Sequence, residues 1–198
     1  MIRKRLLVMV LVGLVYGFGF GSDHSVVYEV DNVHSSVSFA IRHMVVSKVK
    51  GDFTDYLVTI KEDTRDITKS SVTAVIKAAS INTRNEKRDN HLRSADFFDV
   101  EKFPEITFKS KKIEKKGDGF VAHGTFTMHG VSKEISLPFT VSEKIKDPYG
   151  NIRVGIEANY KLDRRDYGLK WSRTLDKGGL VVGNEVKIEI LLEMVAKK

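Results

Sequence analysis

The 198 residues predict an all-β fold, an antiparallel barrel in preference to a sandwich, interrupted by one short helical insertion. Three observations carry that expectation. Apolar and polar residues alternate with period two over most of the chain after Tyr28, as half-buried strands require. Turn-forming clusters, Gly117-Asp118-Gly119 and Asp147-Pro148-Tyr149-Gly150-Asn151, join these runs, with none of the strand-helix-strand rhythm of a parallel sheet. One stretch, Arg88 to Ser110, breaks the alternation by setting Leu92, Phe97, Phe98 and Phe103 among charges.

In chain order, Val37, Phe39 and Ile41 share one face of a strand while Ser36, Ser38, Ala40 and Arg42 take the other. Val49-x-Gly51-x-Phe53 repeats the pattern, and Leu57 to Ile60 is the next short strand. After the loop Asp63 to Asp66, Val72, Ala74, Ile76 and Ala78 line a longer strand that reaches about Ile81. In the central stretch the spacing from Leu92 to Phe97 and Phe98 predicts a helical turn or two. Pro104 ends it, because proline lacks a backbone donor and pushes Phe103 toward an extended conformation. This segment reads as a lid or plug over an apolar interior. A strand then runs from near Ile106 to Ile113, and Gly117 to Gly119 turns it into another from Phe120 to Met128 that Gly130 breaks. Alternation resumes at Ile135, Leu137, Phe139 and Val141, again from Ile152 to Tyr160, and finally from Val186 to Met194. About eight or nine long amphipathic strands favour a barrel, because closure removes exposed edges. Eight strands enclose a space that side chains fill or that one small ligand occupies.

The N-terminus reads as an address. Arg3, Lys4 and Arg5 precede fifteen uncharged residues, Leu6 to Phe20, and Gly19 and Gly21 stand at −3 and −1 of a cut before Ser22. That is the pattern of a cleavable signal peptide over residues 1–21, and the run falls short of the ~20 residues of a membrane span. The alternative is an uncleaved anchor. Residues 22–198 then form one domain with a sizeable core. The whole chain is +7, and removing the leader leaves 30 basic against 26 acidic residues, a net +4 with both signs interspersed. Such a surface is not a nucleic-acid footprint. The absence of cysteine excludes disulfides, thiolate metal sites, a Cys nucleophile and lipoprotein acylation. Together these point to a periplasmic or secreted protein.

Catalytic chemistry finds little foothold. The six histidines are scattered singly, and His123 and His129, six residues apart on one strand, stand roughly 20 Å from each other, too far to share a metal. His43 falls on the inward parity of Phe39 and Ile41, either as a polar handle or as a hydrogen-bonded structural histidine. No nucleophile elbow is present, and no metal or catalytic set is expected. Arg164 to Arg173 interleaves basic residues with Tyr167 and the only tryptophan. It fits the rim of an apolar pocket with arginines facing an anionic headgroup, or a twisted loop packed on the barrel end.

Several blocks occur in an order that resembles the YceI-like family: His91-Leu92-Arg93-Ser94-Ala95-Asp96-Phe97-Phe98-Asp99, Phe103-Pro104-Glu105-Ile106-Thr107-Phe108, Gly124-Thr125-Phe126-Thr127-Met128-His129-Gly130-Val131-Ser132-Lys133, and Arg165-Asp166-Tyr167-Gly168-Leu169. Val37 to His43 and Val49 to Phe53 resemble its opening strands. The resemblance covers about Tyr28 to Met194. It implies a lipocalin-like, extended, eight-stranded antiparallel barrel in the periplasm, binding, transporting or storing a polyisoprenoid such as an isoprenoid quinone or polyprenyl chain, or a fatty-acid derivative. By parity, Phe39, Ile41, Phe53, Ile76, Phe108, Phe126, Leu137, Phe139 and Ile156 would line the cavity. Leu92, Phe97, Phe98, Tyr167, Leu169 and Trp171 would cover or rim it, with His43, His91 and Arg165 as headgroup contacts. The expected partner is the lipid itself, bound without any other cofactor, with transient membrane contact and a homodimer left open. A quinone-linked redox accessory or enzyme, and a packed barrel without ligand, are the alternatives.

Overall fold

Three places where the chain bends without leaving its sheet explain how twelve short runs of strand make a barrel of eight walls. The computed structural model describes residues 24–176 and 178–197, so the leader expected at 1–21 lies outside the described residues. β1 (Ser25–Val30) and β2 (Ser36–His43) lie end to end as one bent wall; β3 (Ser47–Phe53) and β4 (Tyr56–Asp63) form the next. β5 (Ser71–Lys77) and β6 (Ile81–Asn82) form a third: β4 bonds β1 and β5, while β3 bonds β2 and β6. Helix α1 (Glu86–Arg93) follows. Single long strands complete the ring: β7 (Glu105–Lys116), β8 (Gly119–Met128) and β9 (Val131–Val141), then, after the short β10 (Ile145–Lys146), β11 (Ile152–Asp163) and β12 (Val182–Ala196). All neighbours are antiparallel, and β12 closes the ring by bonding β11 along one edge and β2 and β1 in succession along the other.

The strand expected from Val72 to Ile81 is therefore two pieces, because a 3-10 turn at Ala78–Ser80 bends the wall inward and buries Ala78 and Ile81 completely. The β8–β9 hairpin turns on His129 and Gly130, both at positive φ (51° and 73°), as tight hairpins demand. A Cβ at Gly130 would stand 2.5 Å from the Phe103 ring, so the glycine also seats that aromatic. On β7 the register slips between Ser110 and Lys112. Gly124 faces this bulge so closely that an added Cβ would lie 2.3 Å from the Lys109 carbonyl oxygen.

The helix sits earlier than apolar spacing predicts. Asn85 caps it by accepting from the Arg88 amide at 2.9 Å, and Glu86 and Asp89 occupy the first turn, favourable to the helix dipole. Ser94 ends it by donating its hydroxyl to the His91 carbonyl at 2.8 Å. Leu92 is helical, but Phe97 and Phe98 stand in the turn that follows. Capping chemistry at Asn85 and Ser94 outweighed the aromatic spacing. Asp89, buried, accepts from the Thr83 amide at 2.9 Å and from its hydroxyl, which ties the helix to the end of β6.

Candidate ligand-binding cavity

The inward alternation of the eight walls does not fill the barrel. It leaves an apolar cavity of about 390 Å³ along the barrel axis, within the ~300–1,000 Å³ usual for small-molecule sites. Its walls are built two residues at a time: Val37, Phe39 and Ile41 from β2; Val72, Ala74 and Ile76 from β5; Ile106 and Phe108 from β7; Ile135, Leu137 and Phe139 from β9; Ile156, Ala158, Tyr160 and Leu162 from β11; Val186, Ile188, Ile190 and Leu192 from β12. Every cavity residue expected from parity, Phe39, Ile41, Phe53, Ile76, Phe108, Phe126, Leu137, Phe139 and Ile156, lies on this wall.

One end is closed by aromatics from the sheet and from the segments that follow α1 and β11. Phe53 meets Phe39 (5.9 Å between centroids) and takes the edge of Phe98 (5.9 Å). Beside them His91, Phe97 and Trp171 form a mutual cluster with centroid separations of 5.0 to 5.2 Å. Leu92, Phe97, Phe98, Leu169 and Trp171 all line the cavity here, as do His43 and His91. His91 Nε2 stands 2.9 Å from Asp96, which orients the ring. The segment after α1 and the loop after β11 thus meet over this end of the barrel, where His91 and Phe97 pack against Trp171.

Two expected contacts fall elsewhere. Tyr167 is buried but packs its ring against the edge of Phe126 at 5.4 Å, outside the lining, where burial pushes its phenol up to about 12. Arg165 is exposed and turned away: its guanidinium forks onto Asp163 (2.9 and 2.5 Å), whose carboxyl it holds down at about 2. Its neighbour Arg164 faces the cavity instead, only 3% exposed. Arg164 donates to the carbonyls of Gly183 (2.8 Å), Leu169 (2.5 Å) and Val182 (3.3 Å), so backbone dipoles stabilise a charge that no carboxylate touches, and burial lowers its pKa. The parity that turns Ile156, Tyr160 and Leu162 inward continues to Arg164, so the sequence did contain the signal. Arg42 and Arg88 also reach the lining, and among the described residues no aspartate or glutamate does. Arg88 is fixed on Thr83 by bonds to its hydroxyl (2.7 Å) and carbonyl (2.8 Å).

With a closed barrel, an axial cavity and this aromatic mouth established, the comparison with known proteins is direct. The YceI-like domain matches residues 28–194. The chain belongs to the YceI-like family. A UPF0312 protein of Staphylococcus aureus (strain MRSA252) is 38% identical to this YceI-like chain over 164 residues, 82% of the chain and 94% of the relative. The crystal structure of a Campylobacter jejuni YCEI protein aligns with a TM-score of 0.68 at 34% identity, covering 80% of the chain and 91% of that structure. A polyisoprenoid binding domain from Saccharophagus degradans shares the fold, with a TM-score of 0.60 at 17% identity over 86% and 98% of the two chains.

Outside the cavity, the YceI-like barrel carries one cluster with metal-ligand chemistry among the described residues, Asp31, His34 and Glu193. Arg153 occupies it. The guanidinium bonds Asp31 and Asp147 at 2.8 Å each and also Glu193, holding the Asp31 carboxyl at about 2 and Asp147 lower still. The arrangement is an ion-pair network that ties β1, β11 and β12 together at the far end from the mouth.

Proposed function

We propose that the barrel binds one long amphiphilic lipid, a polyisoprenoid or a fatty-acid derivative, and carries or stores it in the periplasm without changing it chemically. The single observation that supports this is the axial cavity, apolar along its length, with its charged and imidazole groups confined to the mouth. A hydrocarbon tail gains ~0.8 kcal/mol per buried CH₂, so about ten buried carbons supply roughly 8 kcal/mol before ordering costs. Selection among tails is weak, since one methylene changes binding by only ~1 to 3 kcal/mol. The polyisoprenoid binding of the Saccharophagus degradans domain agrees with this ligand class. The leader pattern read in residues 1–21 of the sequence supports the periplasmic address. Native mass spectrometry of protein purified without detergent, followed by organic extraction, tests the reading: a stoichiometric lipid is expected, and protein that is empty and takes up no prenyl or fatty lipid refutes it.

A further inference from the structure

We propose that the turn between β2 and β3 is a docking tip that seats the mouth of the barrel on an anionic lipid leaflet. Met44, Val45 and Val46 form this turn and are 44%, 61% and 85% exposed. Three consecutive apolar side chains at a hairpin tip are costly in water. The backbone makes their presence stranger, because Met44 and Val45 hold φ of 49° and 64°, the left-handed region that glycine and asparagine adopt readily and a β-branched residue resists. Strain of this kind persists where a function needs the residue.

Position and charge identify the partner. The turn is continuous with the cavity mouth, since Ile41, Arg42, His43 and Val49 on its two flanks all line the cavity. Val45 lies over the facing loop, where a Cβ on Gly179 would stand 3.1 Å from it. Between Phe39 and Gly51 the exposed charges are Arg42, Lys48 and Lys50, with no acidic residue among them. Lys170 and Arg173 on the facing loop add to them, against Asp176. The other exposed apolar residues, Leu57, Leu191, Val33, Ile145, Tyr149 and Ile152, include no run of three, and those near Asp31, Asp147 and Glu193 adjoin carboxylates already paired with Arg153. The mouth end joins three consecutive exposed apolar side chains to a basic rim, the combination that holds a peripheral protein at a lipid interface.

The lipid passing between bilayer and cavity at this tip rests on the proposed function, but docking is measured separately. Purified protein is floated with vesicles of phosphatidylglycerol and phosphatidylcholine in equal parts, and with vesicles of phosphatidylcholine alone. Wild type partitions to the mixed vesicles in preference, and high salt weakens that preference. Met44→Asn/Val45→Gly, which suits the positive φ, lowers partition by roughly tenfold or more while raising the melting temperature. Lys48→Gln/Lys50→Gln lowers it by roughly fivefold per residue without altering the turn. Both variants still take up a fluorescent fatty acid dispersed without vesicles. Equal partition of wild type to the two vesicle types, or undiminished partition of both variants, overturns the proposal. Wild type that docks but takes up no dispersed lipid strikes the proposed function and leaves the docking surface standing.

Discussion

Replacing Ala158 by isoleucine builds new wall into the middle of the cavity. Ala158 lies on β11 opposite Phe139 of β9 and Ile190 of β12, is 4% exposed, and lines the cavity. The substitution adds three carbons in a residue type that strands favour. If they displace three ligand methylenes, the bound state loses about 2.4 kcal/mol at ~0.8 kcal/mol each, an affinity loss of about 60-fold. In the empty protein the same carbons fill apolar space and stabilise the fold by up to ~2 kcal/mol, less whatever strain the neighbours absorb. The opposite signs are the test. Competition titration against a fluorescent fatty probe measures the first effect and thermal unfolding of delipidated protein the second. Unchanged affinity refutes placement of the ligand beside Ala158. A fall in stability together with affinity shows a packed wall there rather than open space.

Other perturbations reach the scaffold. Gly124→Ala forces a Cβ to 2.3 Å from the Lys109 carbonyl and 2.8 Å from the Ser110 Cα, both backbone, and should cost ~3 kcal/mol in chemical denaturation; a cost under ~1 kcal/mol would show that the β7 bulge yields easily. Arg164→Lys retains the charge but not the fork that reaches three carbonyls, so thermal stability should fall by roughly 3 kcal/mol and the loop after β11 should exchange its amide protons faster. The Asp31 carboxyl, depressed from 3.8 to about 2 by Arg153, contributes stability that is complete above about pH 4 and lost as pH falls through about 2. Asp31→Asn should flatten acid denaturation across that window, and an unaltered acid profile would assign the sensitivity elsewhere.

Sequence and structure agree where one rule acts alone. Period-two alternation sorted Phe39, Ile41, Leu137 and Ile156 onto the inner face because a strand offers only two sides. It said nothing of whether that face would pack solid or leave a void, since both outcomes use the same residues. The bend at Ala78–Ser80 leaves no trace in the alternation, because Ala78 keeps the parity of Ala74 and Ile76 and the 3-10 turn contains no strong breaker. The helix lies earlier than aromatic spacing predicts because the cap at Asn85 sets its first turn. Local composition points to Arg165, whereas the strand's own parity, carried two residues past Leu162, turns Arg164 to the cavity. Tyr167 was placed at the rim by its neighbours in sequence, whereas Gly168, at φ 81°, ends the 3-10 turn and leaves the ring folded against Phe126.

The last strand has an implication for how the molecule comes into being. β12 bonds β11 from Arg153↔Val195 to Asp163↔Glu185 and, on its other edge, β2 and then β1, which are among the first residues of the described chain. Until Ala196 is available, β11 and β2 have open edges and the enclosed space does not exist. Folding is consequently governed by contacts between the two ends of the polypeptide, a slow topology that is settled late. A chain of this design acquires its lipid-sized interior only at the last step of folding, when its C-terminal strand pairs with its N-terminal ones.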